Sequence, residues 1–326
     1  MSSQTAEHLA GATDTHGDAA RCVALIRLDK YVTDAGFAAL PPVPLVGIGR
    51  GEHPSVPWLD AIIEPPVSAG RLVANIERAP RAAAAVVQML RRIETCDPET
   101  ALTLESMCLA MLQGSAEHAN WLSTRIAKPP IAPGRVHLDR TGDWLFVTLD
   151  RPSARNAIDR AMRDDLHAAF SVAALDPDIR RLSLRSIGPA FSVGADLAEF
   201  GTTRDPATAH GIRMRTLPAR ALVGFSGSFD VHVQGACVGA GLEIAAFATR
   251  LTATRSAWFQ LPELAMGIIP GAGGCVSVTR RIGRQRAALM ILSGRRINAE
   301  TALRWGLIDA IIDPPTVDED RANVAG

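Results

Sequence analysis

Two glutamates and three turns rich in glycine and alanine carry the residues of this chain best suited to chemistry. Glu243 and Glu263 stand 263 − 243 = 20 residues apart. Glu243 opens the apolar run EIAAFA, where a buried carboxyl needs either a partner or a task. Glu263 follows Pro262 in FQLPELAMG. Two carboxyls within reach of one water can divide the work of general base and general acid. The plainer alternative for each is a first-turn helix acid favoured by the dipole. In VGAGLE the small residues Gly239, Ala240 and Gly241 follow an apolar strand expected at 230–233 and open a helix. Side chains no larger than alanine let the backbone approach a ligand, and unpaired N–H groups at a helix start favour an anion. The turn SVGAD, Ser192 to Asp196, offers another such N–H at Ala195, and two amides aimed at one oxygen make an oxyanion hole. Any one of these turns alone reads as a tight turn and nothing more. Three in succession, within 191–200, 233–248 and 259–274, change that reading to a place where backbone amides converge on a ligand oxygen.

The segments FSVGADLAEF, GAGLE and PELAMGIIPGAGG, with SARNAI upstream, resemble the crotonase superfamily (enoyl-CoA hydratase/isomerase) in that order and at similar spacings, over roughly Val136 to Ile312. The resemblance implies that Ala195 and Ala240 supply the oxyanion-hole amides. It puts Glu243 and Glu263 at the two hydratase glutamate positions, Glu243 as base and Glu263 as acid toward the α-carbon. It sets Arg155 and Asn156 beside the CoA nucleotide, and counts Ala157, Val193, Gly194, Asp196, Leu197, Gly239 and Gly271 among the residues that bind substrate or CoA. The implied reaction is addition of water to an α,β-unsaturated acyl-CoA, with no metal and no cofactor beyond the coenzyme A of the substrate. Double-bond isomerisation, cofactor-free oxygenation and a catalytically silent acyl-CoA-binding subunit are the competing readings. The family resemblance also implies a homo-oligomer, a trimer or a dimer of trimers. Three departures stand out: Ala240 replaces a glycine, Gln234 stands where asparagine is common, and Thr249 stands where aspartate is frequent. The segment 202–222 falls where the family's acyl pocket is lined; His210, Met214 and Pro218 there follow no clean period.

Composition narrows the remaining possibilities. Lys plus Arg equals Asp plus Glu, 34 each, so no global field steers the chain to nucleic acid or an anionic bilayer. The five cysteines, at 22, 96, 108, 237 and 275, form no CxxC pair and read as reduced thiols rather than a disulfide framework. No apolar run is long enough to span a membrane, and the first residues lack the basic-then-apolar pattern of a signal, so a cytoplasmic location is expected. The eight histidines form no metal pair, and His232 reads as a strand residue.

The elements that must position the site follow from the pattern along the chain. Residues 1–20 read as a disordered tail. CVALIRL and VPLVGIG read as two strands bracketing a helix at 32–40, and the glycines at 47, 49 and 51 read as a turn rather than a nucleotide loop. Helices are expected at 67–79, 81–95, 97–113 and 115–125, the third opened by Asp97 as a cap. The prolines of 127–135 mark a linker between this helical region, 21–126, and a core, 136–326. In that core strands alternate with helices, among them one at 161–175, one starting in DLAEFGTT, and two closing at Gly294 and Gly306. The expected fold is α/β: a crotonase-like ββα superhelix core preceded by an α-helical block with two short strands. WLDAIIEPP at 58–66 nearly repeats LIDAIIDPP at 307–315, an offset of 308 − 59 = 249. The helical block resembles the family's C-terminal helices moved in front of the core, a circular permutation. An unrelated helical extension is the alternative, and packing of 81–125 away from the acyl site would exclude the permutation.

Overall fold

The computed structural model describes residues 22–29, 40–49, 53–126, 129 and 131–312. The tail expected at 1–20, all but Leu40 of the helix expected at 32–40, Gly51, most of the proline linker's first half and Pro314–Pro315 lie outside the described residues. The first apolar runs pair in parallel as β1 (Ala24–Arg27), β2 (Leu45–Ile48) and β3 (Ala61–Ile62). Four helices follow: α1 (Ala69–Arg78), α2 (Pro80–Ile93), α3 (Pro98–Gln113) and α4 (Ala116–Ser123). Asp97 caps α3 by accepting from the Thr100 N–H at 3.0 Å, and Ser115 caps α4 in the same way through His118.

The core opens with the hairpin β4 (Arg135–Thr141) and β5 (Trp144–Asp150), turned at Gly142 with φ +59. Leu145, Val147 and Leu149 alternate with less buried neighbours along β5, as a strand with one covered face requires. Helix α5 (Arg160–Leu175), β6 (Arg181–Ser186), α6 (Pro206–Thr216), α7 (Pro218–Gly224) and β7 (Ser228–Val233) come next. After them come β8 (Ala236–Val238), α8 (Ala240–Ala245), β9 (Arg250–Ala253) and β10 (Trp258–Gln260). The chain continues through α9 (Gly274–Ile282), α10 (Arg284–Ser293), β11 (Ile297–Asn298), α11 (Ala299–Trp305) and β12 (Ala310–Ile311). One sheet runs β12-β9-β7-β6-β5-β4, parallel except for the β4–β5 hairpin, and a second runs β11-β10-β8. The mixed α/β architecture expected from the sequence is the one observed. DLAEF differs: it forms only a 3-10 turn at Leu197–Glu199, because Asp196 caps Ala198 and Phe200 returns to extended backbone.

The helical block and the core share one apolar cluster. Ile76, Val86, Leu90, Leu102 and Leu109 belong to one continuous apolar cluster with Leu182, Val231, Ile268 and Leu289. The proline-rich stretch therefore separates two lengths of sequence and not two hydrophobic cores.

The near-repeat is also a repeat in three dimensions. Asp60 donates its N–H to Leu45 O at 2.8 Å and accepts from the Leu45 N–H at 2.8 Å. Asp309 does the same with Leu251, at 2.8 and 2.6 Å. The Ile63 N–H reaches Gly47 O at 2.9 Å, and the Ile312 N–H reaches Ala253 O at 2.9 Å. The strands preceding each pair are similarly spaced: Ala24 opposes Leu45, 45 − 24 = 21, and Val231 opposes Leu251, 251 − 231 = 20. Parallel β1-β2-β3 thus copies parallel β7-β9-β12, and the helical block leaves the copy where the described chain ends in the original.

Candidate active site

The two small-residue turns, one in the loop that follows β6 and one at the end of β8, meet. Gly194 has φ +93, and a Cβ there would lie 3.0 Å from Val238 O and 3.6 Å from Ala240 N, so the turns touch. Gly239 has φ +48, and a Cβ on it would lie 2.7 Å from Glu263 Oε1. Glycine is needed at both places for backbone conformation and for space. The strand bridges Ile158–Ala195 and Ser192–Cys237 hold the first turn against its neighbours. Among the described residues the Ala195 and Ala240 N–H groups meet no acceptor, and both residues line one cavity of about 560 Å³.

Glu243 and Glu263 line the same cavity. Glu243, 2% exposed, sits in the first turn of α8 with Oε2 accepting from the Ala272 N–H at 2.6 Å and the Gly274 N–H at 2.8 Å. Burial lifts its pKa to about 7, against the lowering effect of those two amides. Glu263, 7% exposed, begins the 3-10 turn Glu263–Met266, and among the described residues its Oε2 has no hydrogen-bond partner. Burial raises its pKa well above the usual range, and the charge of Glu243 raises it further. A carboxyl raised by the charge of its neighbour titrates together with that neighbour.

A third carboxyl completes the group. Glu105, on α3, is 1% exposed and accepts from the Gly273 N–H at 2.7 Å and the Cys275 N–H at 2.8 Å. Burial and then the charge of Glu243 push its pKa up to about 8. Sequence reasoning missed it, although a signal was present: Glu105 shares the buried stripe of Ala101, Leu102, Leu109 and Leu112. The helical block touches the site at other points too. Leu109 packs on Gly271, where an added Cβ would lie 2.0 Å from Leu109 Cδ2. His118 Nδ1 bonds Met266 O at 2.9 Å, bracing the 3-10 turn that carries Glu263.

Of the residues expected to bind substrate or CoA, Val193, Gly194, Asp196, Leu197, Gly239 and Gly271 line the cavity. The Asp196 carboxylate is already engaged, by Arg151 at 2.7 Å and the Ala198 N–H at 2.9 Å. Arg155, Asn156 and Ala157 do not line the cavity, although Ile158, Asp159 and Arg160 do. Asn156 is fully buried: its Oδ1 takes the Arg151 N–H and its Nδ2 reaches Ile187 O and Ala190 O. That side chain therefore braces the loop. Arg155 is exposed, with left-handed backbone at φ 52, and its carbonyl accepts from the Val193 N–H. Gln234 and Thr249 also serve the backbone, through Ser186 and Phe229. His232 pairs with Thr252 on neighbouring strands, apart from the cavity. Among the described residues no helix is long and apolar enough to cross a membrane.

Comparison with known proteins places this geometry. The family model for enoyl-CoA hydratase/isomerase matches residues 142–325. Mevalonyl-coenzyme A hydratase SIDH of Beauveria bassiana is 36% identical over 52% of this chain and 63% of its own length. The 2,3-dehydroadipyl-CoA hydratase of Escherichia coli is 36% identical over 51% of this chain and 65% of its own. The chain thus spans a little under two thirds of the length of these two relatives. The crystal structure of enoyl-CoA hydratase from Thermoplasma volcanium superposes with a TM-score of 0.51 at 32% identity, covering 58% of this chain and 75% of that one.

Proposed function

The chain belongs to the enoyl-CoA hydratase/isomerase family, and from that premise we propose that it adds water across the double bond of an α,β-unsaturated acyl-CoA. The observation that carries the reading is the presence of Glu243 and Glu263, both buried, in the cavity that also holds the unengaged amides of Ala195 and Ala240. The thioester oxygen would sit between those amides and gain negative charge as water meets the β-carbon. Donors already aligned there stabilise that charge, and losing one in comparable sites costs about 3 kcal/mol. Glu243, with a pKa near 7, is suited to take a proton from the water at neutral pH. Glu263, kept protonated by burial and by Glu243, is suited to deliver one to the α-carbon.

The same reading accounts for the order of the chain. The helices after β3 brace both glutamates, and a quarter of the Thermoplasma enzyme's length finds no match in this chain's order. Both observations support a permuted family member in which residues 64–126 serve as the usual closing helices, with β1-β2-β3 a remnant of the duplicated junction.

Glu243→Gln and Glu263→Gln assayed on short 2-enoyl-CoA thioesters test the reaction. Each should lower turnover about 100- to 10,000-fold, and unchanged turnover in both would end the proposal. Analysis of the product separates hydration from double-bond migration.

A further inference from the structure

Arg213, on α6, lines the cavity together with Gln113 of α3. Its Nε donates to Ser106 Oγ at 2.9 Å, its Nη2 to Ser106 O at 3.0 Å and its Nη1 to Gln113 Oε1 at 3.0 Å. Every one of these acceptors is neutral. A guanidinium carries five N–H groups, so three bonds leave two unspent. Among the described residues the hydrogen bonds of Arg213 include no carboxylate, and burial pulls its pKa down to about 10. The acid whose charge supports it is Glu105. That carboxyl is committed to the Gly273 and Cys275 amides, and burial favours its proton. A cation held among neutral partners in a partly dry cavity is costly unless an anion arrives to match it.

We propose that the cavity accepts an acyl chain ending in a carboxylate, and that Arg213, with Gln113 beside it, receives that distal group. This deepens the acyl-CoA reading and rests on it. Apolar wall residues, among them Leu109, Ile212 and Ile268, line the same cavity and suit the methylene stem. The other cavity arginines are placed differently: Arg215 is exposed, two residues on from Arg213 and so on another face of α6. Arg160 is exposed beside Glu199, and Arg163 is paired with Asp164. Planar guanidinium geometry suits a carboxylate taken by two parallel bonds.

Calorimetric titration of the full chain with two saturated thioesters of equal length tests this: adipyl-CoA, which ends in a carboxylate, and hexanoyl-CoA, which ends in a methyl group. Both carry the same coenzyme A, so their affinity ratio isolates the distal group. The chain should bind adipyl-CoA about 10- to 100-fold tighter. Arg213→Gln should bring the ratio close to one, while Arg213→Lys, which keeps the charge without the fork, should retain part of it. Equal affinities for the two thioesters in the unaltered chain would overturn the inference and leave the acyl-CoA reading standing. Binding of neither would overturn both. A preference for adipyl-CoA without hydration of any 2-enoyl thioester would uphold the distal-carboxylate site and remove only the hydratase reaction.

Discussion

Glu105 and Glu243 grip alternate amides of one turn: Ala272 and Gly274 donate to Glu243, Gly273 and Cys275 to Glu105. One carboxylate comes from the core's own helix α8 and the other from a helix that precedes the core in sequence. The turn that opens α9 is thereby held from both sides, and the orientation of Glu243 depends on a residue outside the matched family region.

Replacing Glu105 with alanine should leave two buried N–H groups without acceptors. Each such group costs about 1–3 kcal/mol, so the variant should lose roughly 2–6 kcal/mol in denaturant titration, and its turnover should fall as Glu243 is freed to move. A variant with undiminished stability would show that the turn does not need its second carboxylate.

The raised carboxyls make stability depend on pH in a defined direction. Glu105 at about 8 and Glu243 at about 7 hold protons in the folded chain that the unfolded chain releases near 4.5. Stability from these groups is therefore greatest below about pH 4.5 and falls as pH rises toward 7–8, by up to about 1.4 kcal/mol per pH unit for each proton. Denaturant midpoints at pH 5 and pH 8 should show the loss, and Glu105→Gln should flatten it. A wild-type midpoint that climbs over this range would contradict the burial argument.

Activity should respond in the opposite sense. If Glu243 must be ionised to accept a proton from water, turnover should rise through an acid limb near pH 7. The limb should disappear from the residual activity of Glu243→Gln.

Gly194→Val probes the amide pair without touching either glutamate. The new Cβ would meet Val238 O at 3.0 Å in a backbone at φ +93 that valine avoids. The turns bearing Ala195 and Ala240 should be forced apart, lowering kcat about 100- to 1,000-fold, with a smaller change in KM. Wild-type kinetics would argue against an oxyanion hole at these amides.

Leu102 is fully buried in the cluster shared by helical block and core. Leu102→Ala should cost about 2–5 kcal/mol and shift a single unfolding transition. Two separate transitions, only one of them displaced, would mean that the helices fold as a unit of their own.

Sequence alone determined what short-range chemistry demands. Ala195, Ala240, Glu243 and Glu263 stand beside the glycines whose backbone they require, and Asp97 announces its helix through a cap three residues away. The near-identity of 58–66 and 307–315 likewise marked a repeat, although the matching Asp60 and Asp309 contacts emerged only in the fold. Tertiary structure alone decided the partners of charges far apart in the chain: Glu105 reaches Gly273 across 168 residues, and Arg213 reaches Ser106 across 107. No local period encodes which amide or hydroxyl such a side chain will meet, because the choice is made by how helices pack. The same holds for Asn156, whose short polar side chain suits a ligand or a loop equally well until burial commits it to three backbone groups.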